Sequence, residues 1–174
     1  MAIEGDVVLV GPGVYCGTVE GPSATIEIRS TEGPEMTVLD AQGAGRCYLG
    51  TQNANTVVSG FTLRNAGVPN GFGGGVYSGV ITNCVITNCV GGAGGGAYDS
   101  VLLDCRIVGN EAQYGGGIWI SSGASMAKAE NCLFAGNVST TWRKSFASFA
   151  GASATLTDAP AANAGAERFF ARAA

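Results

Sequence analysis

The chain has 174 residues, enough for one domain, with 29 glycines, 13 acidic against 9 basic side chains, and no histidine. The slight acidity and the lack of any basic run argue against nucleic acid or an anionic membrane as partner. Without histidine the chain lacks the commonest general base and the commonest metal ligand. No apolar stretch approaches the length of a membrane span, and glycine does not recur at every third residue as in collagen.

The first six residues, Met1 to Asp6, show neither a basic leader nor an apolar core segment. The repeat pattern starts abruptly at Gly5, so the sequence reads as an excerpt of a secreted protein. Short strands are expected at residues 7–10, 26–28 and 37–39, between turns at Gly11-Pro12-Gly13, Gly21-Pro22 and Gly33-Pro34. Residues 57–65, VVSGFTLRN, place Phe61 and Leu63 where Cys84 and Ile86 sit one coil later.

Three stretches then open on a glycine triplet. They are GGGVYSGVITNCVITNCVGGA from Gly73, GGGAYDSVLLDCRIVGNEAQY from Gly94, and GGGIWISSGASMAKAENCLFAGN from Gly115. A period in the low twenties with strand-forming residues in every unit is the mark of a solenoid. The third unit carries extra residues, about Ser121 to Met126, expected to loop out on one face. Six cysteines, an even count, could mean disulfides in a secreted chain, but Cys84, Cys105 and Cys132 fall in one slot and are expected as an inward column of small buried thiols. None of the six cysteines forms a CxxC pair, which argues against zinc or an iron–sulfur cluster. Val80, Thr82, Cys84 and Ile86 share one parity, as do Val101, Leu103, Cys105 and Ile107, which predicts one buried strand face. Glycine triplets suit a bend needing positive φ. Asn110 and Asn137 are expected to close the next corner in the left-handed conformation, at a position Cys89 takes in the Gly73 unit. The column Asn83–Asp104–Asn131 lies opposite the cysteines. It is expected to face solvent, either as a ladder satisfying its own hydrogen bonds or as a calcium or sugar contact.

A second column, Tyr77, Tyr98 and Trp119, follows the triplets. Facing out, it forms an aromatic strip about 10 Å long that suits sugar rings or a partner protein; facing in, it is core. The apolar neighbours Val76, Ala97 and Ile118 take the opposite parity. Beyond residue 139 the composition turns alanine-rich, with short strands expected at 145–149, 154–157 and 167–170. The domain reading is therefore a solenoid of about six coils over 1–139, a rod roughly 30 Å long. Residues 140–174 form a C-terminal cap or tail whose phenylalanines and Trp142 need burial.

The stretches GDVVLVGPGVY, TVLDAQG and VVSGFTLRN resemble the opening of right-handed parallel β-helix proteins of the pectate-lyase-like superfold. The GGG-[Val/Ala/Ile]-[Tyr/Trp] runs, with Phe134-Ala135-Gly136-Asn137 and its variant Ile107-Val108-Gly109-Asn110, resemble the GGAI and FxxN repeats of chlamydial polymorphic outer membrane proteins. The resemblance covers residues 5–139. It implies an all-β, right-handed parallel β-helix from a bacterial secreted or cell-surface protein. It leaves function open, because the same coil serves lyases, hydrolases and adhesins.

A lyase of this fold needs a carboxylate cluster for calcium and a basic residue on a neighbouring coil. The aspartates Asp6, Asp40, Asp99, Asp104 and Asp158 do not stack in that way. A glycoside hydrolase needs paired acids at defined separation, and the nearest pair, Asp104 with Glu130, leaves opposite strand faces. Residues 91–96 resemble a calcium-binding nonapeptide but carry glycine where aspartate must coordinate. The sequence therefore predicts no cofactor, no metal and a non-catalytic structural or adhesion module. Its expected partners are a glycan or a surface protein, with end-to-end self-association through uncapped coils. The alternative is a fragment of a carbohydrate-active β-helix enzyme.

Overall fold

The computed structural model describes residues 2–51, 56–121, 124 and 126–141, together with the backbone of two short strands, Phe146–Ser148 and Ala154–Thr155. The described residues form an all-β parallel solenoid without helices. One face stacks Val7–Val10, Glu27–Ser30, Val57–Ser59, Val76–Thr82 and Ala97–Leu103. A second stacks Gly13–Cys16, Thr37–Asp40, Thr62–Arg64, Val85–Thr87, Arg106–Val108 and Leu133–Ala135. The third stacks Gly67–Phe72, Val90–Ala93, Glu111–Tyr114 and Val138–Ser139. Six strands on the second face enclose about five full turns, one fewer than the sequence suggested.

Register explains the core. On the first face Val58, Ile81, Leu102 and Ala129 are successive partners; on the second, Leu39, Leu63, Ile86, Ile107 and Phe134 are. Val58, Ile81, Leu102, Leu63, Ile86 and Ile107 are wholly buried. Each such side chain contributes about 1.5–3 kcal/mol by leaving water, and only the neighbouring turns can cover it.

The expected parity fails at the corners. Ile81 and Leu102 point inward, whereas Val80, Thr82, Val101 and Leu103 are only half-buried. Asn83, Asp104 and Asn131 occupy the left-handed region, with φ of 49°, 53° and 53°. A left-handed residue drops out of the alternation, so the in–out pattern restarts at the next residue and Cys84 and Ile86 face inward again. At the next corner of each coil the left-handed residues are Asn65, Asn88, Gly109 and Gly136, with φ of 56°, 54°, 66° and 61°.

This corrects the role expected of Asn110 and Asn137. Neither closes the corner; each follows the residue that does, and each points into the core, 0% and 4% exposed. Asn110 Nδ2 donates to the Ile86 carbonyl and to Asn137 Oδ1, both at 3.0 Å, and Asn110 Oδ1 accepts the Cys89 N–H at 3.0 Å. Asn137 Oδ1 also accepts the Asn110 N–H, and its Nδ2 donates to the Ile107 carbonyl at 2.8 Å. Two buried amides thus satisfy the backbone groups that the turn releases from the sheets.

The triplets also work differently from expectation. Only the first glycine of each, Gly73, Gly94 and Gly115, has positive φ. At the middle position space is the constraint: a Cβ on Gly95 would overlap the carbonyls of Glu111 and Gly116, and one on Gly74 those of Gly95 and Val90.

The first-face strands Val76–Thr82 and Ala97–Leu103 each meet a neighbour broken in two. Tyr48–Leu49 and Val57–Ser59 flank one, Ile118–Ile120 and Lys128–Glu130 the other. The second break holds the expected excursion; the earlier one, after Leu49, was not legible. Phe146–Ser148 and Ala154–Thr155 add a further rung on this face. Trp142, Phe149 and the strand expected at 167–170 lie outside the described residues. At the other end, Val8 and Tyr15 share inward columns with Val58 and Leu39 yet are each 42% exposed.

Candidate functional site

The strand alternation that buries Val76, Ala97 and Ile118 completely sends Tyr77, Tyr98 and Trp119 outward. They do not stand alone. Phe72 and Tyr114 end third-face strands just before two of the glycine triplets, and the tight backbone turn folds them against the column. The Phe72 and Tyr98 ring centres are 4.7 Å apart, tilted by 32°, and those of Tyr114 and Trp119 are 5.6 Å apart, tilted by 59°. Tyr77 and Tyr98 lie 5.4 Å apart and within 6° of parallel. At that separation parallel rings overlap, so each covers part of one face of the other.

Arg46 closes the lower end. Its guanidinium carbon is 5.5 Å from the Tyr77 ring centre, and its Nε and a terminal nitrogen donate to the Phe72 carbonyl at 3.0 and 2.8 Å. Beside the middle ring, Asp99, the residue after Tyr98, accepts the Ser121 N–H and hydroxyl, both at 2.6 Å. Burial, then the Asp99 charge, raises the Tyr98 hydroxyl pKa.

The result is a ridge over three turns in which Tyr98 is buried at 9% exposure. Phe72 at 53% and Tyr114 at 39% are the members most open to solvent. The Arg46 cation sits at one end, and the Asp99 carboxylate lies beside the middle rung. Phe72, Tyr114 and Arg46 escaped the sequence reading. For the two aromatics the signal was their pairing across the triplets, Phe72-GGG-Val-Tyr77 and Tyr114-GGG-Ile-Trp119, with Ala93 taking the aromatic's place in the turn between.

Asn83, Asp104 and Asn131 are exposed, and Asn131 Nδ2 donates to Asp104 Oδ1. Asparagine and aspartate tolerate the left-handed backbone that this corner requires, so the corner accounts for the residue types. Cys84, Cys105 and Cys132 stack inward, each at most 2% exposed, and all six cysteines are free thiols. Burial pushes the Cys84 thiol up to about 12, against opposing hydrogen bonds at Phe61, Gly60 and Thr82. Asp40 is the most enclosed carboxylate among the described residues. Burial raises its pKa, but Arg64 Nε at 2.8 Å, the Gln42 N–H and the Asn65 amide outweigh this and hold it below its ordinary value. Among the described residues no group of three or more acids or cysteines is placed to hold a metal, and no helix is long and apolar enough to cross a membrane. No protein family, curated protein or solved structure matches this chain, so what it is similar to rests on the coil itself and on the motifs quoted above.

Proposed function

We propose that this chain is a non-catalytic structural or adhesion module of a bacterial secreted or cell-surface β-solenoid protein, binding a glycan or a partner protein through its aromatic ridge. The observation that carries this reading is the cluster Phe72, Tyr77, Tyr98, Tyr114 and Trp119 on the outer surface, where three turns of backbone hold the rings without help from a mobile loop. Because Tyr77 and Tyr98 cover one another, the contacting residues are Phe72 at one end and Tyr114 with Trp119 at the other. An apolar surface edged by Arg46 and Asp99 suits a polyhydroxylated ligand, which offers apolar ring faces and hydrogen-bonding rims. The exposed first rung, Val7–Val10 and Gly13–Cys16, supports end-to-end association as a second property, testable by light scattering on the purified chain.

Oligosaccharides of galacturonate, chitin and cellulose, titrated by calorimetry, test the first reading. Tyr114→Ala and Trp119→Ala are each expected to weaken binding about tenfold, the equivalent of one aromatic contact. Unchanged affinity in both variants, with folding intact, would remove the ridge as the binding site. Release of reducing ends or unsaturated sugars from these polymers would instead favour an enzyme.

A further inference from the structure

Five of the six thiols are buried, yet they are not equivalent. Cys47 and Cys89 meet at Gly75: the Cys47 N–H donates to the Gly75 carbonyl at 3.0 Å, and a Cβ on Gly75 would lie 3.1 Å from Cys89 Sγ. Cys47 Sγ lies 3.2 Å from the Arg64 carbonyl, and Cys89 Sγ 4.0 Å from the adjacent Leu63 carbonyl, so the two sulfurs converge on one stretch of a second-face strand. Cys105 and Cys132 occupy the same slot on adjacent rungs, with the Leu133 N–H bonded to the Cys105 carbonyl at 2.9 Å. Adjacent rungs are about 4.8 Å apart, within the Cα separation that a disulfide spans. Cys84 shares this slot but is engaged differently: its sulfur accepts the Phe61 N–H at 3.3 Å.

We propose that the core thiols are two specific redox pairs, Cys47 with Cys89 and Cys105 with Cys132, which become disulfides under oxidising conditions while Cys84 stays reduced. The oxidant is a low-molecular-weight disulfide such as oxidised glutathione. One protein thiolate attacks a glutathione sulfur and releases one glutathione thiolate; its protein partner then attacks the mixed disulfide and releases the second. Each protein pair loses two hydrogens and two electrons, and one glutathione disulfide is reduced to two thiols. Because the thiolate is the nucleophile and burial disfavours it, exchange in the folded chain must wait for local opening. Closure ties each rung to its neighbourhood covalently, at the point where the strands turn from one face to the next.

The chain is refolded in a glutathione redox buffer, its free thiols are alkylated, and peptides are mapped without reduction. Before alkylation the expected mass is about 4 Da below that of the fully reduced chain, from the four hydrogens lost in two disulfides. Linked peptides should contain Cys47–Cys89 and Cys105–Cys132, with Cys16 and Cys84 alkylated. The oxidised chain should melt several degrees above the reduced one. A Cys84–Cys105 link, a disulfide at Cys16, or five core thiols still alkylatable would each overturn the proposal. Cys132→Ala, checked for strand content by circular dichroism, should lose only its own link; transfer of Cys105 to Cys84 in that variant would show that the slot and not the pair sets the chemistry.

Discussion

Replacing Asn110 by alanine tests the account of the core most directly. The side chain is wholly buried and makes three hydrogen bonds at 3.0 Å, accepting from Cys89 N–H and donating to the Ile86 carbonyl and Asn137 Oδ1. Alanine restores none of them. Asn137 Oδ1 keeps its bond from the Asn110 backbone, but the Cys89 N–H and the Ile86 carbonyl lose their amide partner in a site closed to water. At about 1–3 kcal/mol for each buried group left unsatisfied, the loss is about 3–4 kcal/mol. For a domain of this size that corresponds to a fall in melting temperature of about 10 °C. The control is Asn131→Ala, at an exposed corner where the side chain bonds the neighbouring Asp104 and the left-handed backbone costs alanine about 1 kcal/mol. Guanidinium unfolding followed by far-ultraviolet circular dichroism measures both, provided that the m-value stays constant. A loss below about 1 kcal/mol for Asn110→Ala, or equal losses for the two variants, would refute the idea that buried amides hold these corners.

Gly95→Ala should prevent folding or destabilise severely, since its Cβ meets backbone carbonyls that cannot move without breaking the ladder; Gly109→Asn, at a left-handed position that Asn88 fills one turn earlier, should be close to neutral in the same melts. Asp40 has a folded pKa below its ordinary 3.8, so its stabilising contribution is present above that pH and is lost as pH falls through the depressed value. Asp40→Asn should therefore flatten the acid limb of a stability–pH curve, and an unchanged limb would dismiss Asp40 as a contributor. Tyr48 is wholly buried and, among the described residues, its hydroxyl has no hydrogen-bond partner, the neighbouring Thr56 donating instead to the Ala24 carbonyl. Tyr48→Phe should accordingly be neutral or stabilising by about 1 kcal/mol, and a marked loss of stability would expose a partner for that hydroxyl.

The sequence by itself determined the solenoid. A 21-residue repeat of glycine triplet, short strands and cysteine cannot bury its apolar residues within one unit, so stacking follows from the pattern alone. It also marked Tyr77, Tyr98 and Trp119 as one column, because equal spacing in a repeat means equal position in the turn. What only the tertiary structure decided was direction and company. Left-handed residues at the corners reset the in–out alternation, which is why Ile81 faces the core instead of Val80, and why Asn110 is an interior amide instead of a corner. A parity count along the chain has no means of seeing that reset. Phe72, Tyr114 and Arg46 join the ridge because the close backbone approach at the glycine triplets folds the end of one face onto the start of the next. The proposed thiol pairs rest in the same way on the register between rungs, a property of the wound chain that no single repeat contains.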